Sequence, residues 1–314
     1  MSVQRVGSVT AAAVLLSAIA TAPAESLAGR PTCRGVTATI VGTDSGDDLV
    51  GTRGRDVIVG GAGRDVIKGR GGNDLICGST ERDNVRGGSG ADVILGGDRG
   101  DTLRGGPDDD SILGGDDSDS MWGDSGDDRL HGNGDNDFMN GGFGHDRLLG
   151  GQDGLVRDDW WGDRLIGGPG NDYFDGGDFK GFDSVTYIDT DVAIAADLAA
   201  GTIVVGRYTD RVAKGSIEEF VGSRHDDVFL GSASRDFFWG DHGDDLIDGR
   251  AGDDGLNGSQ GDDHVQGATG NDHLVGGDGN DRLDGGAGTD EAHAGIGNDT
   301  CVNVETPTNC ETTG

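Results

Sequence analysis

Gly60-Gly61-Ala62-Gly63-Arg64-Asp65-Val66-Ile67-Lys68 recurs with small changes along most of this chain, and a late copy reads Gly276-Gly277-Asp278-Gly279-Asn280-Asp281-Arg282-Leu283-Asp284. The unit is glycine-glycine-any-glycine-any-aspartate, then three residues with an apolar centre. Its aspartate keeps a step of nine through Asp47, Asp56, Asp65, Asp74, Asp83, Asp92, Asp101, Asp110, Asp119, Asp128, Asp137 and Asp146. A second run holds the same step through Asp227, Asp236, Asp245, Asp254, Asp263, Asp272, Asp281, Asp290 and Asp299. The apolar centre follows in phase, from Leu49, Ile58 and Ile67 to Leu148, and again from Phe229 to Leu283. One carboxylate at fixed spacing belongs to a repeat architecture rather than to a single globular active site.

Each residue type in the unit has a physical reason. Glycines let the chain take positive φ and turn tightly without a Cβ clash. Such a turn gathers backbone carbonyls on one side, and the aspartate adds a carboxylate. An oxygen-only donor set of irregular shape suits Ca²⁺ better than the stricter Mg²⁺. The three residues after the turn predict a very short strand, with its central apolar residue inward and the flanks outward. One nonad cannot close a core. Two nonads make a coil of eighteen residues, and coils stack as parallel strands. Asp47 then lies over Asp65 and Asp56 over Asp74, with an ion expected between each pair. A dozen coils at roughly 4.8 Å would span about 60 Å.

This pattern resembles the RTX (repeats-in-toxin, hemolysin-type) calcium-binding nonapeptide repeat of secreted bacterial proteins. The resemblance covers residues 42–186 and 222–302. It implies an all-β fold, a right-handed parallel β-roll or β-helix solenoid with two nonads per coil and many bound Ca²⁺ ions. The metal-binding aspartates it implies are those of the two runs together with Asp163 and Asp172. The opening Cys33-Arg34-Gly35-Val36-Thr37-Ala38-Thr39-Ile40-Val41-Gly42-Thr43 also looks like secreted proteins made of little but such repeats. Asp183-Ser184-Val185-Thr186-Tyr187 and Ser216-Ile217-Glu218-Glu219-Phe220-Val221-Gly222-Ser223 resemble the spacer that interrupts long arrays.

Some units depart from the pattern. The fourth turn position holds Glu81, Arg99, Asp108, Asp117, Asp135, His225 or Ser234. Aspartate enters the left-handed region at modest cost, whereas Glu and Arg do so less readily. The sites near Glu81 and Arg99 are therefore expected to be the poorest. In the last units the inward position is Ala292 and Cys301, so the core should thin toward the C-terminus.

The formal net charge is −34, and 64 of 314 residues are glycine. So much like charge with few aromatics predicts a chain that cannot fold alone. The two runs offer about seventeen aspartate pairs eighteen apart, and as many divalent ions would roughly cancel the charge. Ion binding and folding are expected to be one event. Nucleic acid would be repelled. Residues 1–24 read as a secretory signal peptide, with Arg5 as the basic region, Val9 to Ala20 as the apolar stretch and Ala22-Pro23-Ala24 before the cut. No other segment is apolar enough to span a membrane. The four cysteines suit an exported protein. Of three pairings, Cys33–Cys77 and Cys301–Cys310 would tie down the two ends of the stack.

The expected organisation is a signal peptide (1–24), an N-terminal cap (25–41), a first calcium-binding β-roll (42–186), a non-repeat β-helical spacer (187–221), a second calcium-binding β-roll (222–302) and a C-terminal cap (303–314). An insertion at 155–162 carries Trp160 and Trp161, a candidate partner contact. The spacer alternates Val192, Ile194, Ala196 and Leu198 with small or polar neighbours. It reads as longer strands continuing the coil without metal sites. No His-Glu-x-x-His or Gly-x-Ser-x-Gly occurs, and no catalytic residue is expected. The histidines occupy scattered repeat positions: His131 and His293 at nine, His145 at five, His225 at four, His242 at three, His264 and His273 at seven. No pair lines up with a second ligand type, so each reads as a solvated surface residue. The leading functional reading is a secreted, calcium-binding structural or scaffold protein. The alternative is a calcium-dependent adhesin whose Trp122, Trp160, Trp161 and Trp239 meet a surface glycan. A remnant of a polysaccharide-modifying enzyme is a third.

Overall fold

The computed structural model describes residues 30–152, 162–177, 182–310 and the backbone of 312–313. The signal-peptide reading and the Trp160–Trp161 contact therefore lie outside the described residues. From Pro31 onward the chain forms one unit, and among the described residues every regular element is a strand.

Alternate nonads feed two parallel sheets. In one, Thr102 pairs with Asn84 on one side and Ser120 on the other. In the other, Ser111 pairs with Val93 and Arg129. Both registers step by the expected eighteen residues. Among the described residues the first sheet has 14 strands, from Asp48–Val50 to Thr306–Thr308. Many strands are longer than the three residues expected, whereas Val228–Leu230, Phe237–Trp239 and Leu246–Asp248 keep three. Thr102–Pro107 and many others run for six, because the glycine pair after the apolar triplet also joins the ladder.

The core is one residue thick per nonad. Ile58, Ile67, Ile76, Val85, Ile94, Leu103 and their successors are wholly buried between the sheets. Phe174, Phe220, Phe229 and Phe238 widen it in the middle. Burying an aliphatic or aromatic side chain of this kind contributes about 1.5–3 kcal/mol, and the repeat collects that term once per nonad. Ala292, Ala294 and Cys301 fill the last coils with less volume.

The ends are closed by different means. Thr32–Cys33 and Val36–Thr37 form a small antiparallel pair. Cys33 and Ala38 cover an outward apolar strip made of Val57, Val59 and Leu75, with Cys77, Val93 and Leu95 at its rim. This explains why outward positions of alternate nonads are apolar there, whereas Lys68 and Arg86 on the other sheet are exposed. Disulfides join Cys33 to Cys77 and Cys301 to Cys310.

The stack continues through both interruptions. Across the insertion, Phe138 pairs with Arg164 and Arg147 with Tyr173, a step of eighteen plus the inserted residues. The spacer differs from its sequence reading. Ile194–Asp197, Thr202–Val205 and Tyr208–Val212 form an antiparallel meander, placed between Tyr173–Gly177 and Val228–Leu230 in the second sheet. Gly201 and Gly206, with φ of 67° and 58°, allow the two reversals that a parallel coil would not contain. The first sheet needs no such patch, since Val185 pairs directly with Phe220.

Candidate calcium-binding turns

From Asp65 onward most of the repeat aspartates sit at the end of a turn, buried, with one carboxylate oxygen committed to the stack. The Asp83 N–H donates to Asp101 Oδ1 at 2.8 Å, and the Asp101 N–H donates to Asp119 Oδ1 at 2.7 Å. The backbone carbonyl is also used: the Ser111 N–H donates to the Asp92 carbonyl at 2.9 Å. The structure thus stacks aspartates eighteen apart along both edges, as a ladder of side chain on main chain.

The second oxygen, Oδ2, points the other way. In Asp65, Asp74, Asp83, Asp92, Asp101, Asp110, Asp119, Asp128, Asp146 and Asp172 it is buried without a hydrogen-bond donor. The same holds for Asp245, Asp254, Asp263, Asp272, Asp281 and Asp290. An ionised buried oxygen without a partner is costly. Burial pushes the Asp101, Asp110, Asp172 and Asp245 carboxyls up to about 8, opposed by the backbone N–H bond and reinforced by neighbouring carboxylates. A repeated orphan oxygen among backbone carbonyls fits a hard divalent cation. The glycine that opens each unit makes room for it: a Cβ on Gly96 would collide with both Asp101 Oδ2 and the Gly114 carbonyl.

Four aspartates of the runs behave differently. The Thr52 N–H and hydroxyl both donate to Asp56 Oδ2, at 2.6 and 2.9 Å. Asp47 is held likewise by Thr43. In the second run Asp227 Oδ2 accepts from the Ser223 N–H and Asp236 Oδ2 from the Ser232 N–H, each at 2.6 Å. These turns open the two runs, and their second residue is Thr or Ser where later turns have mostly glycine. They satisfy their own carboxylates. Thr or Ser at that place is not sufficient: Ser79 and Ser259 hold it too, at φ of 102° and 81°, and Asp83 and Asp263 keep an unpartnered Oδ2.

The ladder also extends to residues outside the nine-residue count. The Asp163 N–H donates to Asp183 Oδ1 at 2.7 Å, and the Asp172 N–H to Asp210 Oδ1 at 2.9 Å. Glu218 Oε2 accepts from Asp183 N–H, and Glu305 Oε2 from Asp290 N–H. Asp210 Oδ2 takes the Tyr187 hydroxyl at 2.8 Å. The longer glutamate reaches the ladder from a chain that has left the repeat register, so spacing could not reveal it.

The turns at Glu81 and Arg99 keep the common geometry. Their φ angles are 69° and 76°, and the neighbouring Asp83 and Asp101 make the same ladder bonds as elsewhere. Stacking on both sides holds the strained residue in place. His145 is exposed, as its sequence reading has it, while the expectation that no histidine pair meets a second ligand type is overturned. His145 joins a second ladder at the fifth position, accepting from the Asn171 N–H at Nδ1, 2.9 Å away. His273 and His293 meet on Glu291. They are one coil plus two residues apart, which places them on one outward face.

The family model for the RTX calcium-binding nonapeptide repeat matches residues 41–76, 78–98, 95–130, 122–154, 162–180, 221–256, 257–292 and 266–301. No curated protein matches the chain.

Proposed function

Because this chain belongs to the RTX calcium-binding nonapeptide repeat family, we propose that it is a secreted scaffold protein whose stack is held together by Ca²⁺ at the aspartate edges. The ions would be held by the aspartates with an unpartnered buried Oδ2, among them Asp65, Asp83, Asp101, Asp119, Asp245 and Asp281. Bound Ca²⁺ would supply the positive charge those edges need, and the carboxylate and carbonyl oxygens of the turns would coordinate it. The single observation that carries this reading is that orphan oxygen, repeated coil after coil. Asp47, Asp56, Asp227 and Asp236 serve instead as leading caps. The disulfides suit an oxidising, extracellular setting. Among the described residues no helix is long and apolar enough to cross a membrane.

Equilibrium dialysis against Ca²⁺, with the bound ions counted by atomic emission, tests the assignment. The wild-type chain should hold many ions, and Asp101→Asn about one or two fewer. An unchanged count in Asp101→Asn together with Asp119→Asn would remove the ladder from the site.

A glycan-binding reading has its own observation. Trp239 is exposed, and a largely apolar cleft of about 610 Å³ lies beside the meander, lined by Phe143, Pro169, Tyr187, Arg207 and Tyr208. A glycan array probed in millimolar Ca²⁺ should then show binding that Tyr208→Ala reduces. No binding above background would leave the scaffold reading.

A further inference from the structure

We propose that the outward face of the C-terminal coils carries a second metal site, formed by His273, Glu291 and His293 and selective for a late first-row ion of the Zn²⁺ or Cu²⁺ type. The stack builds it. His273 pairs in register with Glu291 on the adjacent strand, and Val275 with His293. Glu291 and His293 are two apart on one strand, so they share a face.

The three side chains already converge. His293 Nε2 lies 3.1 Å from Glu291 Oε1, and His273 Nδ1 lies 3.5 Å from Glu291 Oε2. The imidazole rings are 5.3 Å apart, edge to face. One ligand atom from each residue falls within 4.8 Å of the other two. A tetrahedral ion with ligands at 2.0–2.1 Å would set them roughly 3.3 Å apart. The two shorter separations are close to that value, and rotation of these exposed side chains supplies the remainder.

The donor set decides which ion binds. Two imidazoles and one carboxylate suit Zn²⁺, Cu²⁺ or Ni²⁺. Ca²⁺ takes oxygen ligands in larger number, which the turns offer and this face does not. The two sites can therefore fill side by side in millimolar Ca²⁺. His273 and His293 are brought together by the stacked fold, so the site requires that fold, whether or not Ca²⁺ is what stabilises it.

The experiment uses the full chain without a histidine tag, in millimolar Ca²⁺, with circular dichroism confirming that each variant is stacked. Co²⁺ is titrated and followed by its visible absorption, then displaced with Zn²⁺. One equivalent should bind with imidazole-type ligation, and Zn²⁺ should displace it. His273→Ala, His293→Ala and Glu291→Gln should each weaken binding about tenfold or more, while His264→Ala should not. If the stacked double variant His273→Ala/His293→Ala takes up Zn²⁺ as the wild type does, the proposal is overturned. It is equally overturned if excess Ca²⁺ abolishes all Zn²⁺ uptake, because the ion would then be on the aspartate edges. A chain that failed to stack in Ca²⁺ would contradict the calcium reading. The His₂Glu site would then be tested on the same variants under whichever condition restores the strand spectrum.

Discussion

Asp101 and Asp56 hold the same place in the repeat and use their second carboxylate oxygen differently. Asp56 Oδ2 is bonded within its own turn by Thr52, whereas Asp101 Oδ2 is buried without a donor. Asp101→Asn should thus remove calcium locally and leave distant coils loaded, because stability in a stack is nearly a nearest-neighbour property. Asp56→Asn should leave the ion count at the wild-type value. Thr52→Val should cost about 0.5–1.5 kcal/mol of stability for the lost hydroxyl bond, read by thermal melting in Ca²⁺, again without loss of ions. Equal ion loss in Asp56→Asn and Asp101→Asn would show that both turns are metal sites. Most of this residue-level chemistry was legible in the sequence. The nine-residue aspartate step gives the ladder, and the glycine five residues ahead gives the room for Oδ2. The distinction between Thr52 and the glycine at the same place in later turns was visible too. Its meaning appears only when the hydroxyl is seen to reach the carboxylate.

At the scale of elements, the meander joins the ladder through Asp210, whose Oδ1 accepts from the Asp172 N–H and whose Oδ2 accepts from the Tyr187 hydroxyl. Tyr187 and Asp210 are both buried. Tyr187→Phe leaves that oxygen without a donor and should cost about 1–3 kcal/mol. The loss should appear in hydrogen exchange at residues 194–212, with the first coils unaffected. Uniform loss of protection along the whole chain would contradict this local role. At the N-terminal end, Cys33→Ser with Cys77→Ser should lower stability by about 2–4 kcal/mol, measured by denaturant melting in Ca²⁺, with the ion count unchanged. The meander was less legible than the coils. Ile194, Ala196, Ile203 and Val205 are buried strand residues in either topology, and alternation alone does not say which neighbour a strand pairs with. The reversals depend on Gly201 and Gly206, which resemble any loop glycine. Glu218 and Glu305 were hidden for a related reason, since they join the ladder through reach rather than register. The meeting of His273 and His293 likewise needed the two-residue offset between coils to be read in three dimensions.

For the whole molecule the governing quantity is charge. The chain carries −34 and buries carboxylates along two edges. Burial raises Asp101, Asp110, Asp172 and Asp245 to about 8 in the ion-free stack, against roughly 4 for an unfolded aspartate. A folded-state value above the unfolded one favours folding below the lower value, and that contribution is lost as pH rises through the upper one. In chelator, the strand signal should therefore fall as pH is raised from about 4 to about 8, and saturating Ca²⁺ should remove the dependence. A chelated protein that gains strand as pH rises would contradict the sign. The central claim is that calcium binding and stacking are one event. Its most direct test is a calcium titration at neutral pH, followed by circular dichroism with the bound ions counted at each point. The account predicts little strand signal in excess chelator. Strand signal and bound calcium should then rise together, with a midpoint on the order of 10⁻⁴–10⁻³ M, the range of extracellular calcium modules. The same strand content in excess chelator as in saturating calcium would contradict it.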